Sequence, residues 1–144
     1  MPGEWRRGEY IISTDQARLD IDLIYRFLNE SSYWAQGRSR ETVERSIANS
    51  LSFGVYKGDF EEQVGFARVV TDYATFGWVA DVFILEPYRG QKLGEWLIET
   101  IVAQPELQGM RRLFLATRDA HGLYSKYGFS PLENPDRFMM KKQV

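Results

Sequence analysis

A chain of 144 residues with 44% apolar and 15% aromatic side chains is one domain's worth of material, enough to bury about two-thirds of its unfolded surface. A net charge of −2 and an isoelectric point near 5.5 leave no basic footprint for nucleic acid. With no cysteine and a single histidine, disulfides, thiolate chemistry and a multi-histidine metal site are excluded. Met1 to Tyr10 lacks the apolar run of a leader, and no stretch is long enough to span a bilayer. The expected location is the cytoplasm, with no membrane partner.

In chain order, Glu9–Ser13 reads as a short first strand. Ser13, Thr14 and Asp15 are good N-cap types, and Ser13 with Gln16 has capping-box spacing. The helix that follows places Leu19, Leu23, Ile24, Phe27 and Leu28 on one face. Asn29 to Arg40 is a polar loop broken by Gly37 and carrying Tyr33 and Trp34. A second helix is predicted from about Glu41 to Asn49, with Val43, Ile47 and Leu51 inward. Ser52–Tyr56 and Gln63–Thr71 form a hairpin by pattern, with Lys57 to Glu62 as its turn. A central strand begins near Trp78, and a helix runs from Gly94 to Ala103. Gln104 to Gly109 breaks the chain. Arg112–Ala116 is an apolar strand, Ala120–Tyr127 a short helix, and Phe138–Lys141 a last strand. Strands in a hairpin run, then alternating with helices, predict a mixed α/β sheet with helices on both faces.

The most informative stretch runs from Val79 to Ile98. Val82–Leu85 is unbroken, apolar and too short for a helix, and Pro87 ends strand pairing because it has no N–H to donate. A loop with Gly90 and Gly94 then leads into a helix whose Leu97, Ile98, Ile101 and Val102 share one face. Unpaired N–H groups and the positive end of the helix dipole suit that loop to a phosphate or pyrophosphate, and Arg89 can add a fork of donors. The spacing fits neither a Walker loop nor a dinucleotide fingerprint.

It resembles instead the acyl-CoA motif of the GNAT N-acetyltransferase superfamily: Arg or Gln, two residues, Gly, one residue, then Gly or Ala. Arg89 matches the first position and Gly94 the last, while Lys92 stands where Gly is usual and is expected to donate its N–H from a helical conformation. The family's second pattern, N-x-x-A-x-x-F-Y-x-K-x-G-F, is met by Thr117 to Phe129. There Ala120, Tyr124, Lys126, Gly128 and Phe129 match, Leu123 is a conservative change, and Thr117 replaces the Asn. The resemblance covers residues 9 to 142.

The resemblance implies a mostly antiparallel sheet splayed between its fourth and fifth strands, those near Trp78 and Arg112, with acetyl-CoA as co-substrate and no metal. The pantetheine would pair with the backbone of Phe83, Ile84 and Leu85, with an N–H near Leu85 holding the oxyanion. The loop Arg89, Gly90, Gln91, Lys92, Leu93 and Gly94 would hold the phosphates. Thr117 and Tyr124 would complete the cofactor site, and Tyr124 would protonate the departing thiolate; its alternative is a core tyrosine with its hydroxyl bonded to backbone. Asp81 occupies the family's usual carboxylate position. Within an apolar run its pKa should be raised, as a base requires; its alternative is an Asp paired with a nearby Arg or hydroxyl. His121 has a fitting pKa but could instead cap its helix or face solvent, and Asp72 and Glu86 are weaker candidates. Tyr33, Trp34 and Arg38 would overhang the acceptor pocket, or merely cover the core edge. The implied reaction is acetyl transfer to a primary amine of a small molecule or peptide, in a monomer or homodimer. The alternatives are a non-catalytic acyl-CoA-binding module and transfer of a longer acyl chain.

Overall fold

The computed structural model describes residues 2–58 and 62–143. Six strands form one sheet in the order β1 (Glu4–Arg7), β2 (Tyr10–Ser13), β3 (Leu51–Lys57), β4 (Glu62–Thr71), β5 (Phe76–Ile84) and β6 (Arg112–Phe114). Neighbours are antiparallel except β5 and β6, which are parallel. The α-helices are α1 (Ile21–Arg26), α2 (Arg40–Ala48), α3 (Leu93–Val102) and α4 (His121–Ser125).

The side-chain alternation of the strands divides the core between the two faces. On one face Phe66 and Phe83 meet Ile24, Leu28, Val43 and Ile47 of the α1–α2 region, with Phe27 stacked on Phe83 at 3.9 Å between ring centroids. On the other, Ile12, Phe53, Val55 and Val79 pack under Leu97, Ile98 and Ile101 of α3. A two-faced sheet needs cover on both sides, and this chain supplies it with helices from separate halves.

Several local expectations are corrected. The first long helix is interrupted because two aspartates compete to start it. Asp15 caps a 3-10 turn at Gln16–Arg18, and Asp20 then caps α1 by accepting from the Leu23 N–H. A wider π-helical turn follows at Phe27–Ser31. Gln16 does not close a capping box; its amide donates to the Ile47 and Ser50 carbonyls. β1 is an additional strand, joined to β2 through Gly8, whose φ of 58° fits a tight turn. Phe138–Lys141 is not a strand: it follows a 3-10 turn and runs exposed, with the Phe138 ring 5.6 Å from that of Phe114 on β6. The hairpin β3–β4 is present, though Asp59, Phe60 and Glu61 of its turn lie outside the described residues.

Two departures from a regular ladder position the site. β6 pairs with β5 only at Phe76–Trp78 and ends at Phe114, while β5 continues to Ile84. The sheet therefore splays open beyond Trp78. Across β5 and β4, Phe66 faces Phe83 and Arg68 faces Ala80, so Asp81 and Val82 together oppose Ala67. That is a β-bulge, and Asp81 takes the left-handed conformation at φ 53°.

Candidate active site

The V between β5 and β6 holds two adjoining cavities. The larger, about 720 Å³, runs along Val82–Ile84, the Arg89–Gly94 loop and the face of α4. The smaller, about 440 Å³, lies over Trp78–Asp81 and the segment after β6. Tyr33, Trp34, Val82, Arg118 and Tyr124 line both, so the two cavities meet beside Tyr124.

The larger cavity has an unpaired strand edge as one wall. The Leu85 N–H donates to the Val64 carbonyl at 2.8 Å, and Gly65 faces Ile84 across the ladder. In an antiparallel pair this geometry makes Gly65 and Ile84 a non-hydrogen-bonded couple, with the Ile84 N–H and C=O turned away from β4 and into the cleft. Of the N–H groups near Leu85, where the oxyanion donor is expected, that of Leu85 itself is committed to the sheet, and the cleft-facing donors belong to Ile84 and, by alternation, Val82. Phe83 turns its backbone to β4 and its ring into the α1–α2 core.

At the end of that edge, the turn Glu86–Tyr88 leads into Gly90, at φ 85°, and Lys92, at φ 63° and ψ 23°. Lys92 is left-handed rather than helical, which explains why Gly suits that position. Among the described residues no side chain caps α3 at Lys92, so the first N–H groups of the helix have no side-chain acceptor. Arg89 is partly committed, its Nε donating to the Ile84 carbonyl at 2.8 Å. The Gln91 amide oxygen accepts from the Tyr10 hydroxyl at 3.1 Å, tying the loop to β2. Leu93 is buried in the core. A Cβ on Gly94 would sit 4.0 Å from Ile84 Cγ1, so the glycine leaves open space on the cleft side.

Tyr124 is buried, with its ring edge-on to Phe129 at 5.8 Å. Its hydroxyl forms no hydrogen bond among the described residues, so the alternative of a backbone-bonded core tyrosine is not what the fold contains. Burial, then the neighbouring Tyr33 and Asp119, push its pKa up to about 12. Thr117 lines the smaller cavity and accepts from the Ala120 N–H at 3.1 Å, which fixes the start of α4. Lys126 ties α4 to α3 through Glu95 at 2.7 Å.

Asp81 departs most from expectation. Its side chain is 2% exposed. Oδ2 accepts from Arg38 Nη1 and Arg68 Nε, both at 2.7 Å, and Oδ1 accepts from Trp34 Nε1 at 2.8 Å. Burial alone would raise its pKa, but the Arg68 and Arg38 guanidiniums and the indole donor outweigh it and hold the carboxyl below its usual range. The raised pKa expected of a base is thus reversed, and the paired alternative describes this residue. Arg68 also donates from Nη1 to Ser50 Oγ at 3.1 Å. Sequence reading passed over Arg68; the one signal was a charge inside the otherwise apolar run Val64–Val70.

Tyr33 and Trp34 stand edge to face at 5.0 Å. Tyr33 reaches across the V: its hydroxyl accepts from the Arg118 N–H at 3.0 Å, and the Arg118 guanidinium lies 3.8 Å over its ring. His121 is exposed at the start of α4 and lines neither cavity. Asp72 is spent on its own turn, accepting from the Ala74 and Thr75 N–H groups, and Glu86 is exposed. Among the described residues no three His, Cys, Asp or Glu side chains cluster to hold a metal ion, and no helix is long and apolar enough to cross a membrane.

The architecture is shared. Residues 49–131 match the acetyltransferase (GNAT) domain model. A protein of Gibberella zeae with the provisional name acetyltransferase FG08082 is 32% identical over 87% of this chain and 81% of its own length. A crystal structure from Xanthomonas campestris pv. campestris, provisionally described as a GNAT-family acetyltransferase, superposes with a TM-score of 0.90 at 43% identity, covering 96% of each chain. Glucosamine-6-phosphate N-acetyltransferase from Arabidopsis thaliana shares the fold, at TM-score 0.64 and 16% identity over 94% of this chain and 99% of its own. An open, mostly antiparallel sheet split beside β5, with the two family motifs on its rim, places this chain in the GNAT family of acetyltransferases.

Proposed function

We propose that the protein transfers an acetyl group from acetyl-CoA to a primary amine by direct attack in a ternary complex. The observation that carries this reading is the meeting of the two cavities at Tyr124, beside the unpaired edge of β5. The larger cavity takes the cofactor: its pyrophosphate lies against the uncapped start of α3, and its pantetheine extends β5 as an added strand. The smaller takes the acceptor.

The amine nitrogen attacks the thioester carbon, and the Val82 and Ile84 N–H groups stabilise the charge that develops on the carbonyl oxygen. As the C–S bond breaks, Tyr124 donates its proton to sulfur. A thiolate with a cysteine-like pKa of about 8.5 collapses back unless captured, and a phenol held near 12 is protonated at neutral pH. The amine must arrive neutral, which costs about 4–5 kcal/mol at pH 7 for a lysine-like pKa. Asp81 is an anchor for Arg38 and Arg68 rather than its base. The attacking nitrogen then gives up its proton, and Asp119, which lines both cavities, is the other carboxylate within the site.

The test is release of free CoA thiol on mixing protein, acetyl-CoA and a panel of primary amines. Amine-dependent release supports transfer. Tight CoA binding with no release from any amine would favour a non-catalytic acyl-CoA-binding module.

A further inference from the structure

The smaller cavity is unevenly charged, and the imbalance identifies what kind of amine it takes. Its lining includes three arginines, Arg38, Arg68 and Arg118, against two carboxylates, Asp81 and Asp119. Asp119 is paired with Arg118 at 3.7 Å near the surface. Both Arg38 and Arg68 fall on one oxygen of Asp81, so two half-buried positive charges share a single negative one. Arg68 is further committed to Ser50. Arg38 uses only Nη1 toward Asp81 among the described residues, with a side chain 22% exposed. Arg38 lines the cavity, and the rest of its fork makes no other hydrogen bond among the described residues. Asp81 is itself engaged through both oxygens, Oδ2 by the two arginines and Oδ1 by Trp34 Nε1.

Position adds direction to the charge. Arg38, Arg68 and Trp78 line only the smaller cavity, whereas Tyr124 and Val82 line both. A molecule with its amine at the junction therefore points its other end at the arginines. The walls between are the rings of Tyr33, Trp34 and Trp78, and a volume of about 440 Å³ is that of a small-molecule site.

We infer that the acceptor is a small amine carrying an anionic group, a carboxylate or phosphate, which binds the Arg38 fork at the end of the cavity away from Tyr124. This rests on the acetyl-transfer reading for the role of the amine, but not for the anion site. A guanidinium fork matches either anion bidentately, and a surplus positive charge only partly open to water is stabilised by either. A polyamine or plain alkylamine would instead meet uncompensated like charge.

The experiment pairs each anionic amine with its neutral counterpart: phenylalanine with phenethylamine, and phosphoethanolamine with ethanolamine. Thiol release with acetyl-CoA gives kcat/KM for each. The inference predicts that at least one anionic probe is preferred, and the two pairs distinguish carboxylate from phosphate. In Arg38→Gln that preference should fall roughly ten- to a hundredfold, the weight of a charge-assisted hydrogen bond or two. Arg38→Lys, which keeps charge but not the fork, should fall in between and guards against a folding defect in the first variant. If neutral amines are used as well as or better than their anionic partners, the inference is overturned while acetyl transfer stands. If no probe releases thiol, calorimetry of the same pairs against the CoA-loaded protein decides: Arg38-dependent binding of the anionic member upholds the anion site without transfer, and equal or absent binding overturns it.

Discussion

Replacing Asp81 by Asn separates the two roles open to this residue. The substitution keeps the shape of the side chain, and the left-handed φ of 53° suits Asn as well as Asp. What it removes is the charge shared by Arg38 and Arg68. Taking one partner from a buried ion pair typically costs about 3–5 kcal/mol, because the other charge is left uncompensated. Here the two arginine side chains are 22% and 13% exposed and retain some water, so the lower end, about 3 kcal/mol, is expected. For a chain of this size that lowers the melting temperature by roughly 6–12 °C. The pH dependence carries a sign. The Asp81 pKa is depressed on folding, so its contribution is fully present above the ordinary carboxylate value, about 3.9, and is lost as pH falls through the lower folded value. Melting curves of parent and Asp81→Asn should therefore differ by a steady gap from pH 7 to about 5, closing in more acidic buffer. A gap under about 2 °C at pH 7, with turnover abolished and CoA affinity intact, would refute the anchor and restore Asp81 as the base.

Three further substitutions address the cofactor side. Tyr124→Phe keeps the packing against Phe129 and removes the proton donor, so kcat should fall roughly ten- to a thousandfold with CoA affinity and melting temperature held; parental rates across pH 6 to 9 would remove the role. Gly94→Val should fold, because the added Cβ meets Ile84 only at 4.0 Å, yet calorimetry should show CoA affinity reduced on the order of tenfold, the worth of one charge-assisted hydrogen bond. Lys92→Gly relieves a left-handed residue and should raise stability by roughly 1 kcal/mol. Its CoA affinity should drop and lose part of its salt dependence as an ammonium beside the phosphates is removed; a rise in affinity would contradict that contact.

The sequence made the central unit readable because its signals are local. The apolar run at Val82–Leu85, the stop at Pro87 and the helical face of Leu97, Ile98 and Ile101 each depend on neighbours a few residues away. The same locality misled at the amino end, where Asp15 and Asp20 both make good caps and only packing decides that each starts its own turn. At Phe138–Lys141 strand propensity was present without a partner, since β6 ends at Phe114 and forms no ladder with it. The environment of Asp81 was illegible for a different reason. Its partners Trp34, Arg38 and Arg68 lie 47, 43 and 13 residues away, and the bulge that aims it is a property of the β4–β5 register. The left-handed turn at Lys92 likewise follows from loop closure rather than from lysine.

A crystal structure of the protein with CoA tests the central claim most directly. The account predicts the pyrophosphate on the N–H groups at the start of α3, the pantetheine along the Val82–Ile84 edge, and the sulfur within hydrogen-bonding reach of the Tyr124 hydroxyl. CoA lodged elsewhere, for instance in the groove between β6 and Gly128–Phe138, with the edge of β5 vacant, would contradict it.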